Sequence, residues 1–280
     1  MNTVGIVPVT VIVPCFRSFK TVDRAAESVL AQTLRPKELI FVDDCSDDQG
    51  KTIDLLTDIQ RRYNHLIDIR VLSTSHNKGA GGARNLGWKN ATQEYIAFLD
   101  SDDVWHPKKM EIQTEWMFQN KEVMLSCHDL CVLSLGDLPS FKAQDIAVNK
   151  LSIPVKKINR ASLLFRNSVY TSTVLIRREC IEKFSNFSRM AEDYELWLRL
   201  ILNGEKIVRV NIRLACSLKY LFGEAGLTGN LFLMHDGVIA CFRRLLAEGL
   251  IKHHEFLLSV VWERLKLTRR LLICAFRSKR

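Results

Sequence analysis

Three apolar runs in the first hundred residues stop abruptly on a proline or an aspartate, and helical patterns separate them. The run at 9–13 stops at Pro14, that at 38–42 at Asp43-Asp44, and that at 95–99 at Asp100. Short apolar runs bounded in this way read as buried strands. A further strand is expected at 67–72, and helical spacing marks 21–32, 53–63 and 81–91. Strands alternating with helices at this interval imply parallel βαβ units with right-handed crossovers. Such sheets bind ligands outside the carboxyl ends of their strands. Pro14, Asp43 and Asp100 therefore converge on one rim. The second half is less regular, with helices expected at 108–120 and 191–202 and strands at 124–135 and 171–177. Three glycines at 223–229 mark a hinge before a helical tail.

At 280 residues the chain suits one large domain, or one domain with a helical appendage, and its 47% hydrophobic content supplies a substantial core. The net charge of +9 is uneven: 242–280 holds ten Lys/Arg against Glu248, Glu255 and Glu263, a net of +7. The basic character thus belongs to the tail and says little about the substrate of the main domain. The eight cysteines are scattered without C-x-x-C spacing. Cys127, His128 and Cys131 come nearest to a metal cluster but lack a second ligand group at finger spacing. Residues 1–10 lack the basic start of a secretory signal, and with thiols expected to be reduced this points to the cytoplasm.

Chemistry concentrates in four places. Asp100-Ser101-Asp102-Asp103 follows an apolar strand, and carboxylates crowded there need a cation or water to neutralise them. The Asp-x-Asp spacing suits a divalent metal that in turn holds a diphosphate; an acidic turn capping the next helix is the alternative. Asp43 closes the second strand, where a carboxylate can accept the N3–H of uracil. The acids and serine that follow it, at 46–48, also suit a helix N-cap. The segment 77–85, rich in glycine and ending in Arg84-Asn85, enters a helix whose N-terminus favours anions, with Arg84 adding a charged contact. It lacks the Walker ending and the G-x-G-x-x-G pattern. Glu192-Asp193 opens a patterned helix, as a general base for an alcohol nucleophile or as residues complementing the helix dipole.

Taken in order, Val11-Ile12-Val13-Pro14, residues 27–33, Val42-Asp43-Asp44 with 45–48, 77–79 with Ala83-Arg84-Asn85, Phe98-Leu99-Asp100-Ser101-Asp102-Asp103 and residues 192–197 resemble the family 2 glycosyltransferases. The resemblance covers roughly 8–222. It implies an α/β, GT-A type, Rossmann-like fold for nucleotide-diphospho-sugar transfer, with a mostly parallel central sheet. Residues 1–222 would form the catalytic domain, with 8–105 binding the nucleotide sugar and 106–222 forming the acceptor side, and 223–280 a basic amphipathic tail. It further implies a metal-dependent inverting enzyme using a UDP-sugar and Mn2+ or Mg2+. By position, Asp43 resembles the uracil-reading aspartate, with Pro14 and Phe16 beside the base, and Arg84 the arginine near the diphosphate. Asp100 and Asp102 resemble the metal motif, Asp102 being the direct ligand, and Asp193 the catalytic base. Cys45 departs from the family's usual Gly or Asn. The Gln-x-x-Arg-Trp motif of processive synthases is absent.

The implied acceptor is a glycan, in lipid-linked form, in exopolysaccharide, capsule or O-antigen synthesis. In the tail, Glu263, Arg264, Lys266, Arg269 and Arg270 interrupt an apolar stretch and exclude an ordinary membrane span. A basic amphipathic helix on an anionic leaflet is one reading, giving a peripheral position on the inner face of the cytoplasmic membrane. A helix packed on the core or on a second subunit is the other, and the oligomeric state stays open. No aromatic-interleaved basic motif indicates nucleic acid. Two alternative functions remain: a sugar-1-phosphate nucleotidylyltransferase, although 14–20 lacks the glycines of an activating loop, and a non-catalytic scaffold, although the acids are all retained.

Overall fold

The computed structural model describes residues 5–146, 153–185, 189–219 and 230–277; the hinge expected at 223–229 lies outside them. In chain order the elements are β1 (Gly5–Cys15), α1 (Val22–Leu30), β2 (Leu34–Asp43), α2 (Lys51–Tyr63), β3 (Asp68–Ser73), α3 (Gly79–Asn90), β4 (Tyr95–Phe98), β5 (Asp103–Trp105) and α4 (Lys109–Gln119). They continue with β6 (Leu125–Val132), α5 (Leu138–Ala143), β7 (Val155–Lys157), α6 (Arg160–Phe165), β8 (Leu175–Arg177), α7 (Glu192–Leu202), β9 (Ile207–Ser217), α8 (Leu231–Ala247) and α9 (His253–Arg277).

Among the described residues these strands form one sheet in the order β3-β2-β1-β4-β8-β6-β9-β5, with β7 added on β9. The half from β3 to β4 is parallel, as the alternation of strands and helices requires. Beyond β4 the long β6–β9 pairing is also parallel, while β8, β5 and β7 pair antiparallel over short stretches. Side chains alternate across the sheet. Ile12, Ile40, Val42 and Phe98 face a cluster with Tyr194, Leu196 and Trp197 of α7, whereas Val11, Val13, Leu39 and Phe41 face one with α1 and α2.

The register places Cys15 opposite Asp43, and Ile12 opposite Phe98. The chain therefore leaves β1, β2 and β4 on one rim, with 16–18, 43–48 and 99–102 side by side. Two local expectations differ from the structure. The strand expected at 171–177 begins as a 3-10 turn, Thr171–Thr173, whose hydroxyls bind backbone and acids, and only Leu175–Arg177 is extended. In β9, apolar residues at 208, 210, 212 and 214 alternate with Arg209, Asn211 and Arg213, the pattern of a strand that sequence reading passed over.

In the C-terminal region, Cys241, Phe242 and Leu245 of α8 enter the same cluster as Tyr194 and Trp197. α9 packs along α8 and α6. Among the described residues no helix is long and apolar enough to cross a membrane.

Candidate functional site

The rim gathers the sequence-predicted residues, each held by a different device. Asp43, at the end of β2, is 6% exposed. Its Oδ2 accepts the Ser46 N–H at 3.2 Å, while buried Oδ1 has no hydrogen-bond partner among the described residues. An unmatched buried carboxylate oxygen costs free energy unless a donor reaches it. Cys45 follows with φ 58, in the left-handed region that favours Gly or Asn. Phe16 stands exposed on the same rim with the Arg17 guanidinium 5.0 Å from its ring centre, and Asp47 holds that arginine at 2.5 Å. Pro14 is buried inside β1 opposite Val42, so it shapes the strand end and leaves Phe16 as the exposed ring.

Asp44 has a structural task. Its two oxygens accept the N–H groups of Lys78 at 2.8 Å and Gly79 at 2.7 Å, and Thr74 donates to it at 2.9 Å. The N–H groups of Lys78 and Gly79, at the entry to the helix that sequence reading offered to an anion, are thus engaged by this carboxylate. Gly79 has φ +77, and a Cβ on Gly81 would lie 2.6 Å from Glu192 Cγ. Gly81 therefore admits α7 against α3, a packing requirement that the glycine-rich pattern did not separate from diphosphate binding.

Arg84 of α3 is buried and joins the two acidic clusters. It donates to Asp100 Oδ1 at 2.6 Å and to Glu192 Oε1 at 3.4 Å, with its guanidinium over Phe184. Its Nε has no partner among the described residues. Asp100, Asp102 and Asp103 separate into three environments. Asp100 meets Arg84, and the ammonium of Lys219, two residues past β9, forms an ion pair with Asp102. Asp103 is buried and accepts the Ser172 hydroxyl at 2.6 Å. Burial, and then the charges of Asp100 and Asp102, push its carboxyl up to about 8. Ser172 also accepts the Asp100 N–H at 3.1 Å, so one hydroxyl fixes both ends of the acidic turn.

Asp193 lies in the first turn of α7, half-buried, where Thr171 donates to its Oδ2 at 3.4 Å and the Tyr194 N–H to its Oδ1 at 2.7 Å. Burial raises its carboxyl above the ordinary range, against the pull of Arg84. Burial, and then Asp193, push Glu192 up to about 7. A carboxylate raised in this way suits a proton acceptor working near neutral pH. Tyr194 pins the helix start by donating to Leu163 O at 2.6 Å.

The rim therefore unites Phe16, Asp43, Arg84, Asp100, Asp102 and Asp193, while Pro14 supports it from within β1. Sequence reasoning missed Thr171, Ser172 and Lys219. Three successive hydroxyl residues before an apolar run were the available signal for the first two. Among the described residues no cluster of three or more metal-type ligands occurs. Asp100 and Asp102 nonetheless fit a hard divalent cation: they are half-exposed carboxylates on one turn, and two protein cations already balance them.

The model described as Glycosyl transferase family 2 matches residues 10–178. The chain is 32% identical over 224 residues to UDP-Glc:alpha-D-GlcNAc-diphosphoundecaprenol beta-1,3-glucosyltransferase WfgD of Escherichia coli, covering 80% of this chain and 81% of that protein. Among solved structures it resembles S. aureus TarS 1-349 in complex with UDP-GlcNAc, with a TM-score of 0.63 and 19% identity, covering 90% of this chain and 71% of that one. It spans 42% of the longer TarS chain. The mannosyltransferase PcManGT from Pyrobaculum calidifontis, in complex with GDP-Man and Mn2+, matches with a TM-score of 0.62 and 15% identity over 91% of this chain and 68% of that one.

Proposed function

The chain belongs to glycosyl transferase family 2, and from that premise we propose that it moves a sugar from a UDP-sugar to a hydroxyl of a lipid-linked glycan, inverting the anomeric carbon, in surface-polysaccharide assembly. The observation that carries the donor assignment is the buried Oδ1 of Asp43 at the end of β2, which has no hydrogen-bond partner among the described residues. Uracil presents an N3–H to such an acceptor, whereas cytosine presents a lone pair and is repelled. The acceptor class follows from the likeness to WfgD, whose name describes a diphosphoundecaprenol-linked substrate.

Asp100 and Asp102 would hold the divalent cation, Mn2+ or Mg2+, which when bound neutralises the departing diphosphate. Arg84 holds Asp100 and Glu192 in place beneath that charge. Asp193 takes the proton of the acceptor hydroxyl as its oxygen attacks the anomeric carbon from the face opposite the leaving group. Displacement in one step inverts the configuration, so no enzyme nucleophile is required. The sugar-1-phosphate nucleotidylyltransferase and scaffold readings are not favoured.

The exposed apolar residues of α9, with arginines beside them, support a peripheral position on the anionic inner face of the cytoplasmic membrane. The donor assignment is tested by calorimetric titration of the full chain with UDP, CDP and GDP in the presence of Mn2+. UDP should bind at least about tenfold more tightly than CDP, a step of about 1.4 kcal/mol, and Asp43→Ala should remove the difference. Equal affinity for UDP and CDP in the unaltered protein would overturn it.

A further inference from the structure

Two cations balance the acidic turn, and they differ in a way that bears on how the donor arrives. Arg84 is 5% exposed, shared between Asp100 and Glu192, and enclosed beside Phe184. Removing it from Asp100 would leave buried charges unmatched. Lys219 is 38% exposed, its partner Asp102 is 31% exposed, and among the described residues the ion pair with Asp102 is the direct contact of its ammonium, with the charges of Asp100 and Asp103 acting from further off. An ammonium is a compact, strongly hydrated charge on a flexible four-carbon stem, so exchanging its partner costs little.

The position of Lys219 is set by the fold. Ser217 of β9 pairs with Asp103 of β5, and the Ser217 hydroxyl donates to the Lys219 carbonyl at 3.1 Å. The end of β9 thus delivers this lysine to the turn that carries Asp100 and Asp102. Its ammonium stands against the carboxylate that a divalent cation would need. A cation and an ammonium cannot both sit on the same oxygen of Asp102, because like charges at that separation repel strongly.

Building on the UDP-sugar and divalent-cation reading above, we propose that Lys219 is an exchangeable counter-ion: it neutralises Asp102 in the donor-free protein and moves to the donor's diphosphate when cation and donor bind together. Cation binding is then opposed when the donor is absent. It is favoured when the diphosphate offers the ammonium a new partner. Cation and donor consequently bind with positive coupling, and by linkage each tightens the other by the same factor. Lys219 acts through charge balance, as a residue that orders binding.

The test measures free Mn2+ by electron paramagnetic resonance, with and without UDP, for the unaltered full chain, Lys219→Ala and Asp102→Asn. Lys219→Ala should bind Mn2+ alone more tightly than the unaltered protein. UDP alone should bind it more weakly, and the Mn2+–UDP coupling should shrink by a factor between about 5 and 150. Asp102→Asn should lose Mn2+ in both states. If Lys219→Ala binds Mn2+ alone no more tightly than the unaltered protein, the proposal is overturned and Lys219 is a surface ion pair. If the unaltered protein takes up no Mn2+ even with UDP, the divalent-cation reading itself fails, which is a distinct result.

Discussion

Arg244 of α8 places its Nη2 2.5 Å from Glu195 Oε2 on α7, two residues beyond Asp193, in a carboxylate only 1% exposed. Arg199 also meets Glu195 at 3.0 Å and reaches on to Glu248 at 2.6 Å. The basic C-terminal region is thereby fastened to the helix that carries the proposed base. Removing one partner of a buried ion pair typically costs about 3–5 kcal/mol, because the other charge is left unmatched. With Arg199 remaining, Arg244→Met should lower unfolding free energy by about 3 kcal/mol, the lower end of that range. Pairing it with Glu195→Leu should recover part of the loss. Urea denaturation of the single and double variants checks both; an Arg244→Met midpoint equal to that of the unaltered protein would show that the pair fastens nothing.

Asp193→Asn separates chemistry from binding. The carboxylate is held by Thr171 and by the Tyr194 N–H, and neither of these contacts involves Asp43 or Phe16. The amide keeps the shape and cannot take a proton. Transfer should fall by at least ~10²-fold, in the range attributed to positioned bases. UDP affinity should change little. A collapse of UDP affinity with turnover intact at saturation would make Asp193 a binding residue.

Asp193 should govern the pH dependence of transfer. Both carboxyls of the Glu192–Asp193 pair are raised, Glu192 to about 7 and Asp193 above the ordinary range, so the deprotonated base builds up at higher pH than a free aspartate. Transfer should therefore climb with pH through an ascending limb lying above the ordinary aspartate range. Asp193 is raised by burial and by the charge of Asp100, while Glu192, pushed up to about 7, is still protonated as Asp193 ionises, so Glu192→Gln should leave the limb in place. A limb that moves to lower pH in this variant would show that Glu192 is already charged when Asp193 titrates.

Much of this site was legible in the sequence because it lies where buried strands end. The stops at Pro14, Asp43 and Asp100 need only an apolar period and a polar break to be read. The task of Asp44 was not legible, since a carboxylate reads the same whether it meets uracil or the backbone of α3. The glycine-rich entry to α3 reads as an anion site, yet the missing Cβ of Gly81 makes room for Glu192, more than a hundred residues away. Lys219 could be found only by noticing the alternation in β9, because its meeting with Asp102 depends on the β5–β9 register. Tertiary partners chosen across the sheet leave little local trace. Strand ends leave a strong one.

The exposed face of α9 carries the last prediction. Leu258, Trp262, Leu265, Leu272 and Phe276 follow one another at steps of four, three, seven and four residues and so share one helix face, each between 46% and 71% exposed. The opposite face is built differently: Glu263 is buried and pairs with Lys266 and Arg270, so those two cations are spent within the protein. Arg264 and Arg269 remain exposed beside the apolar stripe. The five charges that exclude a membrane span thus divide into an internal triad and two outward arginines. On an anionic leaflet each outward arginine is worth about 1 kcal/mol, screened by salt, and the stripe adds insertion that salt does not screen. The intact protein should co-sediment with vesicles containing phosphatidylserine, weakly reduced at high salt. Leu265→Ser with Leu272→Ser should release it while leaving UDP binding unchanged, because neither side chain enters the core. Arg264→Gln with Arg269→Gln should weaken binding mainly at low salt. Equal sedimentation of the serine variant would exclude this face as the anchor. Failure of the intact protein to bind vesicles, with a mass that doubles on concentration, would assign the stripe to a second copy of the chain.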